Sequence, residues 1–240
     1  MPLKKGDYAY IDYVLKIKES GEVADTTIED VAREGGLKRE GAFEPLFIVV
    51  GEGWVPKGLD EGLVGMEPGE QKAIEVPPEK GYGERDPSKL KLLPLRRFTS
   101  QNISPVPGMS VEMDGRTAVV RAVGAGRVQV DYNHPLAGRT LIYEVTLKKV
   151  LEGKEERVRA MLHRRIPEVE PGKFGLSMGD GKLAVEIPED AFYLEGLQLA
   201  KRAIVSDLEK YMPEFEEVSF VEVFRRKAAG GGRPAEAPAQ

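Results

Sequence analysis

The chain lacks cysteine, has only two histidines and contains no long apolar run, and each of these absences excludes a class of protein. Without cysteine there is neither a disulfide framework nor a thiol nucleophile. The histidines, His134 and His163, have no acidic or histidine partner at metal-ligand spacing, so we expect no metal and no other cofactor. We interpret His163 as a surface residue of a helix.

No apolar segment approaches the roughly 20 residues of a membrane span, and the first residues, MPLKKGDYAY, lack the apolar core of a secretion signal. We therefore expect a cytoplasmic protein with no membrane partner. Charged residues make up 31% of the chain and the net charge is −5, which gives no general reason to expect nucleic acid as a partner. A length of 240 residues allows more than one domain.

Residues 44–70, EPLFIVVGEGWVPKGLDEGLVGMEPGE, carry the strongest signal. The β-branched run at 46–50 predicts a strand buried on both faces, and the glycines at 51 and 53 end it. Residues 54–56 place apolar bulk in a loop, and the spacing of leucines in 57–63 predicts a short helix. Apolar bulk in a loop has two interpretations, a plug beneath the core or the wall of a binding pocket, and spacing alone does not choose between them.

The flanking segments predict an antiparallel sheet. Residues 8–18 alternate as a strand, with one face formed by Tyr8, Tyr10, Tyr13 and Leu15. Thr26 and Glu29 have the spacing of a capping box, which predicts a short helix through Arg33. Residues 71–76 and 139–150 predict two further strands, and the glycines around Tyr82 free the backbone to turn its ring inward.

These motifs resemble those of the FKBP-type peptidyl-prolyl cis/trans isomerases. Residues 46–70 are similar to the family's pocket segment, since they contain in order a strand, Gly-x-Gly, an apolar pair, GLDEGL and GMEPGE. PPEKGYG at 77–83 resembles the loop whose tyrosine hydroxyl binds the substrate. NHPLAG at 133–138, followed by TLIYEV, resembles the SlyD-like branch, which carries a domain inserted in its flap.

The resemblance implies a set of site residues. It assigns the walls and floor of a proline pocket to Tyr13, Leu46, Val55, Leu59 and Tyr143. It gives Asp25 and Tyr82 the task of orienting substrate carbonyls, and makes Leu136 and Ala137 the flap edge. From the sequence alone, Asp25 could equally cap a helix. Leu59 stands where the family often has tryptophan, which should widen the pocket. Pro56 stands where the family commonly donates a backbone N–H to the substrate, and proline has none.

A pocket of this kind could catalyse prolyl isomerisation without nucleophile, metal or base. The barrier of about 18–20 kcal/mol comes from C–N double-bond character. Twisting the bond reduces charge separation in the amide, so a dry apolar cavity that binds the twisted state best lowers the barrier. The expected partners are proline-containing peptides and unfolded or partly folded proteins.

Residues 84–132 predict a small all-β domain inserted in the flap. Three β-rich runs, 109–113, 116–123 and 127–132, follow a leucine-rich segment. So small a unit should leave apolar surface accessible, and the SlyD-like branch uses this domain to capture unfolded chains. The candidate capture residues are Leu90, Leu92, Leu93, Leu95, Phe98, Met109, Val111 and Met113. The alternative is that they only form the insert's own core.

The remaining sequence predicts a separate domain and a tail. Residues 154–226 have an αββαβ pattern, with a helix over 155–165, a hairpin over 174–187 and a helix over 191–212, and residues 227–240 should be disordered. The expected fold is α+β, with an FKBP-type domain at 1–83 plus 133–152. Two other functions stay open: a holdase chaperone with a vestigial pocket, and an adaptor that docks or forms a homodimer through the C-terminal domain.

Overall fold

A computed structural model of the chain describes residues 1–37 and 41–224. The chain divides into two compact units, residues 1–151 and the residues from 152 onward, and it has the expected mixed α+β fold. The described strands of the first unit pair antiparallel, whereas the second unit contains one antiparallel and one parallel pair. The tail predicted to be disordered, 227–240, lies outside the described residues. Among the helices of the described part, none has the length and apolar content needed to cross a membrane.

The first unit contains most of the strands. In chain order its elements are β1 (Tyr8–Ile17), β2 (Val23–Thr26), α1 (Glu29–Glu34), β3 (Leu46–Val49), α2 (Lys57–Leu63), β4 (Gln71–Val76), β5 (Leu90–Pro94), α3 (Arg96–Thr99), β6 (Ser110–Met113), β7 (Arg116–Gly124), β8 (Arg127–Asp131) and β9 (Leu141–Leu151). A five-stranded sheet runs in the order β2-β1-β9-β4, with β3 paired to β1. The expected strands of this lobe are therefore present, and β4 has the predicted bounds.

Strand β1 buries side chains on both of its faces, so the predicted single face was wrong. The face toward the main core carries Ala9, Ile11, Tyr13 and Leu15. Tyr8 and Tyr10 lie on the opposite face against Phe47, with ring centroids 6.3 and 5.5 Å from it. Apolar groups cover both faces of β1, and a register shift between Tyr10 and Ile11 interrupts its alternation.

Helix α2 packs closely on β4 because it presents glycine there. A Cβ on Gly62 would come within 2.6 Å of Ile74, and one on Gly58 within 2.8 Å of Val76. Only glycine therefore allows this approach, which brings the buried Leu59 and Leu63 under the sheet.

The predicted capping box at Thr26 is absent. Helix α1 begins after Ile28, and no side chain caps it. The Thr26 hydroxyl instead donates to the carbonyl of Tyr13 at 2.8 Å and accepts from the N–H of Ile28 at 3.0 Å. The spacing was right for a cap, but the hydroxyl stabilises the junction between β1 and β2.

The insert forms its own four-stranded sheet in the order β5-β8-β7-β6. It contains one more strand than the three β-rich runs predicted, and the single helical turn α3. The insert's core includes Phe98, Val111 and Met113, which are 0%, 4% and 1% exposed. Those residues cannot contact a bound chain in this fold, and their assignment to a capture surface was wrong.

The second unit consists of α4 (Lys154–Arg165), β10 (Gly175–Gly179), β11 (Lys182–Ile187), α5 (Leu197–Tyr211) and β12 (Glu217–Glu222). Its sheet runs in the order β10-β11-β12. Helix α5 begins later than the predicted residue 191, because Gly196 takes a left-handed conformation with φ of 79°. His163 is half-buried and not a free surface residue, because its Nδ1 donates to the carbonyl of Val169 at 2.7 Å.

Candidate functional site

Several of the predicted pocket residues meet in one cluster. They come from separate elements: Tyr13 from β1, Leu46 from β3, Val55 from the loop before α2, Leu59 from α2, Leu136 from the flap and Tyr143 from β9. We call this set the pocket cluster. Leu59, Tyr143 and Tyr13 are 1%, 3% and 8% exposed, whereas Leu46, Val55 and Leu136 are only partly buried. The cluster thus combines an enclosed base with apolar side chains that reach the surface.

A carboxylate lies at the edge of this cluster. The Tyr13 hydroxyl donates to Oδ2 of Asp25 at 2.6 Å, and the N–H of Thr26 donates to Oδ1 at 2.8 Å. Asp25 belongs to strand β2, and α1 has no side-chain cap, so the alternative of a helix cap at Asp25 was wrong. The remaining lone pairs of this carboxylate can accept hydrogen bonds from a ligand.

Two tyrosine hydroxyls lie near this carboxylate, one from the buried base of the cluster and one from its rim. Burial raises the pKa of Tyr143, and a hydrogen bond with Tyr82 and the nearby Asp25 charge raise it further. Tyr143 therefore remains a neutral hydroxyl through the pH range in which a free tyrosine would ionise, near 10. Tyr82 is 37% exposed, so its ring lies at the surface beside the cluster.

The sequence reasoning missed His134, which holds the ring of Tyr82. The two rings stack in parallel, with centroids 4.1 Å apart and planes inclined by 1°. Nδ1 of His134 accepts the N–H of Leu136 at 3.2 Å, which orients the imidazole. Burial lowers the pKa of His134, so the neutral ring predominates at pH 7. The signal was present, because His134 belongs to the NHPLAG motif.

Asp60 was also missed, and it fixes the loop that carries Val55. The side chain of Asp60 is 7% exposed. Its carboxylate accepts the N–H groups of Gly51 at 2.7 Å and Gly53 at 3.1 Å. The neighbouring Trp54 packs edge-on against Phe47, with centroids 5.5 Å apart. These contacts hold the loop in one conformation against the cluster.

The other predicted site residues lie close by in the chain. Pro56 precedes α2 as its N-cap residue, and its carbonyl accepts the N–H of Asp60 at 3.0 Å. Ala137 is 5% exposed, and its N–H donates to the carbonyl of His134 at 2.9 Å.

The five candidate capture residues that lie outside the insert's buried core divide into two groups. Leu92 and Met109 are 61% and 36% exposed and remain candidates. Leu90, Leu93 and Leu95 are half-buried, and the last two pack on the insert's core. None of these residues belongs to the pocket cluster, so the insert offers a separate apolar surface.

Comparison with known proteins gives two family matches and several relatives. Residues 91–136 match the family described as "FKBP26, IF domain", and residues 154–225 match "FKBP26_C-terminal". The chain is 37% identical over 155 residues to a short-type peptidyl-prolyl cis-trans isomerase of Methanocaldococcus jannaschii, covering 64% of this chain and 98% of that protein.

Two bacterial relatives match the same region. One is the FKBP-type peptidyl-prolyl cis-trans isomerase SlyD of Treponema pallidum, 32% identical over 158 residues, covering 64% of this chain and 81% of the relative. The other is a probable FKBP-type 16 kDa peptidyl-prolyl cis-trans isomerase of Pseudomonas fluorescens, 28% identical, covering 57% of this chain and 95% of the relative.

Proposed function

The chain belongs to the FKBP-type peptidyl-prolyl cis/trans isomerases, in their SlyD-like branch, and on that premise we propose that its pocket cluster binds a prolyl residue and catalyses rotation of the preceding peptide bond. The supporting observation is the convergence of the pocket cluster from several elements, with Asp25 and Tyr82 at its rim. The apolar base packs on the proline ring, the Tyr82 hydroxyl donates to a flanking carbonyl, and the Asp25 carboxylate accepts a flanking N–H of the substrate.

The chemistry follows from the environment of the bound amide. A planar amide is strongly dipolar and is stabilised by water, whereas the twisted amide has lost part of its charge separation. Moving the bond from water into an apolar site therefore costs the planar states more than the twisted state. Each 1.36 kcal/mol of that difference increases the rate about tenfold. No proton transfer is required, which suits a site in which the raised pKa of Tyr143 keeps its hydroxyl neutral.

The direct test measures cis-to-trans isomerisation of a short prolyl peptide and proline-limited refolding of a protein substrate, both with the full chain. We expect acceleration in both assays. Tyr82→Phe and Asp25→Asn should lower peptide turnover about three- to tenfold each, since each loses hydrogen bonding of about 1 kcal/mol. A chain that binds unfolded protein but accelerates neither reaction would be a holdase, the alternative function.

We further propose that the insert captures unfolded chains for the pocket. The exposed Leu92 and Met109 support this, together with Val106 and Val123, which are 57% and 39% exposed. An exposed apolar group of this kind on a small sheet suits extended polypeptide. Capture raises the concentration of prolyl bonds near the pocket and compensates for a weak intrinsic catalyst.

Pro56 is the reason to expect weak intrinsic catalysis on short peptides. Replacing Pro56 by valine restores a backbone N–H at the position where the family commonly donates to the substrate carbonyl. We expect Pro56→Val to raise kcat/KM on a short prolyl peptide about three- to tenfold, the effect of one hydrogen bond of about 1 kcal/mol. Pro45→Val, a proline replacement just before β3, is the matched control. A Pro56→Val enzyme with unchanged turnover would show that the missing donor does not limit the rate.

For the C-terminal domain we propose self-association. Tyr193, Leu199 and Phe224 are 89%, 75% and 72% exposed, which is unusual for large apolar side chains on one small domain. Light scattering on the full chain should give the mass of a dimer, and a chain ending at Gly153 should be monomeric. Leu199→Asp should weaken the dimer at least tenfold, with Gln198→Asp as control, an exposed position that faces about 100° away on the same helix. A full chain that is monomeric at high concentration would leave docking to another protein as the domain's role.

A further inference from the structure

Asp131, the last residue of β8, carries a carboxylate that is 1% exposed and heavily hydrogen-bonded. Its Oδ1 accepts from the N–H of Asn133 at 3.0 Å and from Nδ2 of the same residue at 2.8 Å. Its Oδ2 accepts from Nε of Arg121 at 3.0 Å and from the guanidinium of Arg85. The carboxylate therefore joins the insert strand β7, through Arg121, to both segments that connect the insert to the rest of the lobe.

Asn133 ties those two connecting segments directly to each other. Its Oδ1 accepts the N–H of Asp86 at 2.9 Å, and its Nδ2 donates to the carbonyl of Asp86 at 2.9 Å. The side-chain amide thus pairs with the facing backbone as a strand would. One step toward the insert, the N–H of Tyr132 donates to the carbonyl of Lys89 at 3.1 Å. Together Asp131 and Asn133 form what we call the hinge clamp.

The hinge clamp is continuous with the rim of the pocket cluster. Asn133 is followed by His134, whose ring stacks on Tyr82 at 4.1 Å. The N–H of Gly138 donates to the carbonyl of Gly83 at 2.8 Å, which joins the two segments again on the pocket side. This second bond holds the pocket side of the flap independently of the hinge clamp, so we expect the stack of His134 on Tyr82 to survive when the clamp opens.

We propose that Asp131 and Asn133 are positioning residues that hold the insert in one orientation relative to the pocket cluster. If the insert captures chains and the pocket isomerises them, this fixed orientation couples the two steps, and that part of the proposal rests on the proposed function. The fixed orientation itself does not depend on either activity. Two single-chain connections would otherwise let the insert swing as a rigid body, because hinge motion needs only a few residues to change φ and ψ. With the hinge clamp closed, a chain bound to the insert reaches the pocket without waiting for the insert to reorient.

The hinge clamp depends on the negative charge of Asp131. Burial by itself raises the pKa of Asp131, but the hydrogen bonds from Asn133 and Arg121 and the charge of Arg85 outweigh it, so this pKa lies below its ordinary value. The fold therefore stabilises the ionised form. The ionised Asp131 therefore contributes to the stability of the fold above the ordinary aspartate pKa of about 4. This contribution is lost as the pH falls through the lowered pKa of Asp131 in the folded chain. Neutralising Asp131 leaves two guanidinium groups without their buried counter-charge.

The orientation can be tested without any activity assay. Because the chain has no cysteine, Ser20→Cys in the main sheet's first turn and Ser100→Cys in the insert provide two unique sites for spin labels. We expect one narrow distance distribution in the parent chain and a distribution about twofold wider or more in Asp131→Asn. Asp114→Asn is the matched control, since it removes the same charge from an exposed insert pair with Arg97 and should leave the width unchanged. An unchanged width in Asp131→Asn overturns the proposal.

The coupling between chain capture and catalysis is tested by comparing chain binding, peptide turnover and refolding in the same variants. In Asp131→Asn and Asn133→Ala we expect the Kd for an unfolded chain and kcat/KM on a short peptide to stay within about twofold, while kcat/KM for refolding falls about tenfold. A parallel loss of chain binding, or unchanged refolding, overturns the coupling. If the parent chain fails to turn over prolyl peptides, the isomerase proposal fails, and the label distances still decide whether the clamp fixes the insert.

Discussion

Removal of the insert, residues 84–132, should lower kcat/KM for proline-limited refolding about 100-fold and leave turnover of a short prolyl peptide within about threefold. The first effect follows because capture makes encounter with the pocket intramolecular, a gain of about 10²–10⁴. The second follows because the insert's apolar core and the pocket cluster are separate, and the bond between Gly138 and Gly83 lies outside the deletion. Both rates are measured with Gly83 joined to Asn133 by a short Gly-Ser linker.

A double substitution in the insert tests the same prediction without removing a domain. Leu92→Ser and Met109→Ser together keep the insert's core but remove its exposed apolar side chains, and refolding catalysis should fall about tenfold. Thr117→Ser, an exposed change on the neighbouring strand β7, should have no effect. If the deletion removes peptide turnover as well, although circular dichroism shows an intact sheet, catalysis at the pocket depends on the insert and the two functions are not separate. If refolding is unaffected, capture by the insert is excluded.

The sequence predicted most elements because local patterns determine them. Strand β4 alternates, pairs with β9 on only one side, and is bounded by turn residues, so its limits were predictable. The prediction of a single apolar face for β1 was wrong because this strand packs apolar side chains on both faces. The start of α5 was misplaced because apolar spacing continues through residues 191–196, and only the left-handed Gly196 reveals the break.

The sequence offered candidate site residues only where a family motif contains them. Leu136 and Ala137 were found in NHPLAG, but Asn133 and His134 of the same motif were not assigned, because their roles are contacts with Asp86 and Tyr82 far along the chain. Asp131 was missed for a related reason: a carboxylate ending a β-rich run resembles a turn residue until Arg85 and Arg121 are found around it. Partners distant in sequence leave no local pattern.

Val55→Asp should lower kcat/KM on a short prolyl peptide about 100-fold. Val55 packs against the pocket cluster yet remains partly exposed, so a carboxylate there would face the bound amide while reaching water in the free enzyme. Closing a substrate over that charge costs desolvation free energy, and the charge replaces the apolar environment that favours the twisted amide; a 100-fold loss corresponds to about 2.7 kcal/mol. The measurement is a steady-state peptide assay.

The controls separate loss of the pocket from loss of the fold. Because Val55 lies in a loop held by Asp60, the sheet should survive, and the unfolding midpoint should change little compared with Leu59→Asp in the buried base. Leu92→Asp places the same charge on the insert and should leave peptide turnover unchanged. The Kd of Val55→Asp for an unfolded chain should also be unchanged. Full peptide turnover in Val55→Asp would place catalysis elsewhere, since no dry prolyl site could include a carboxylate at that position and keep its rate.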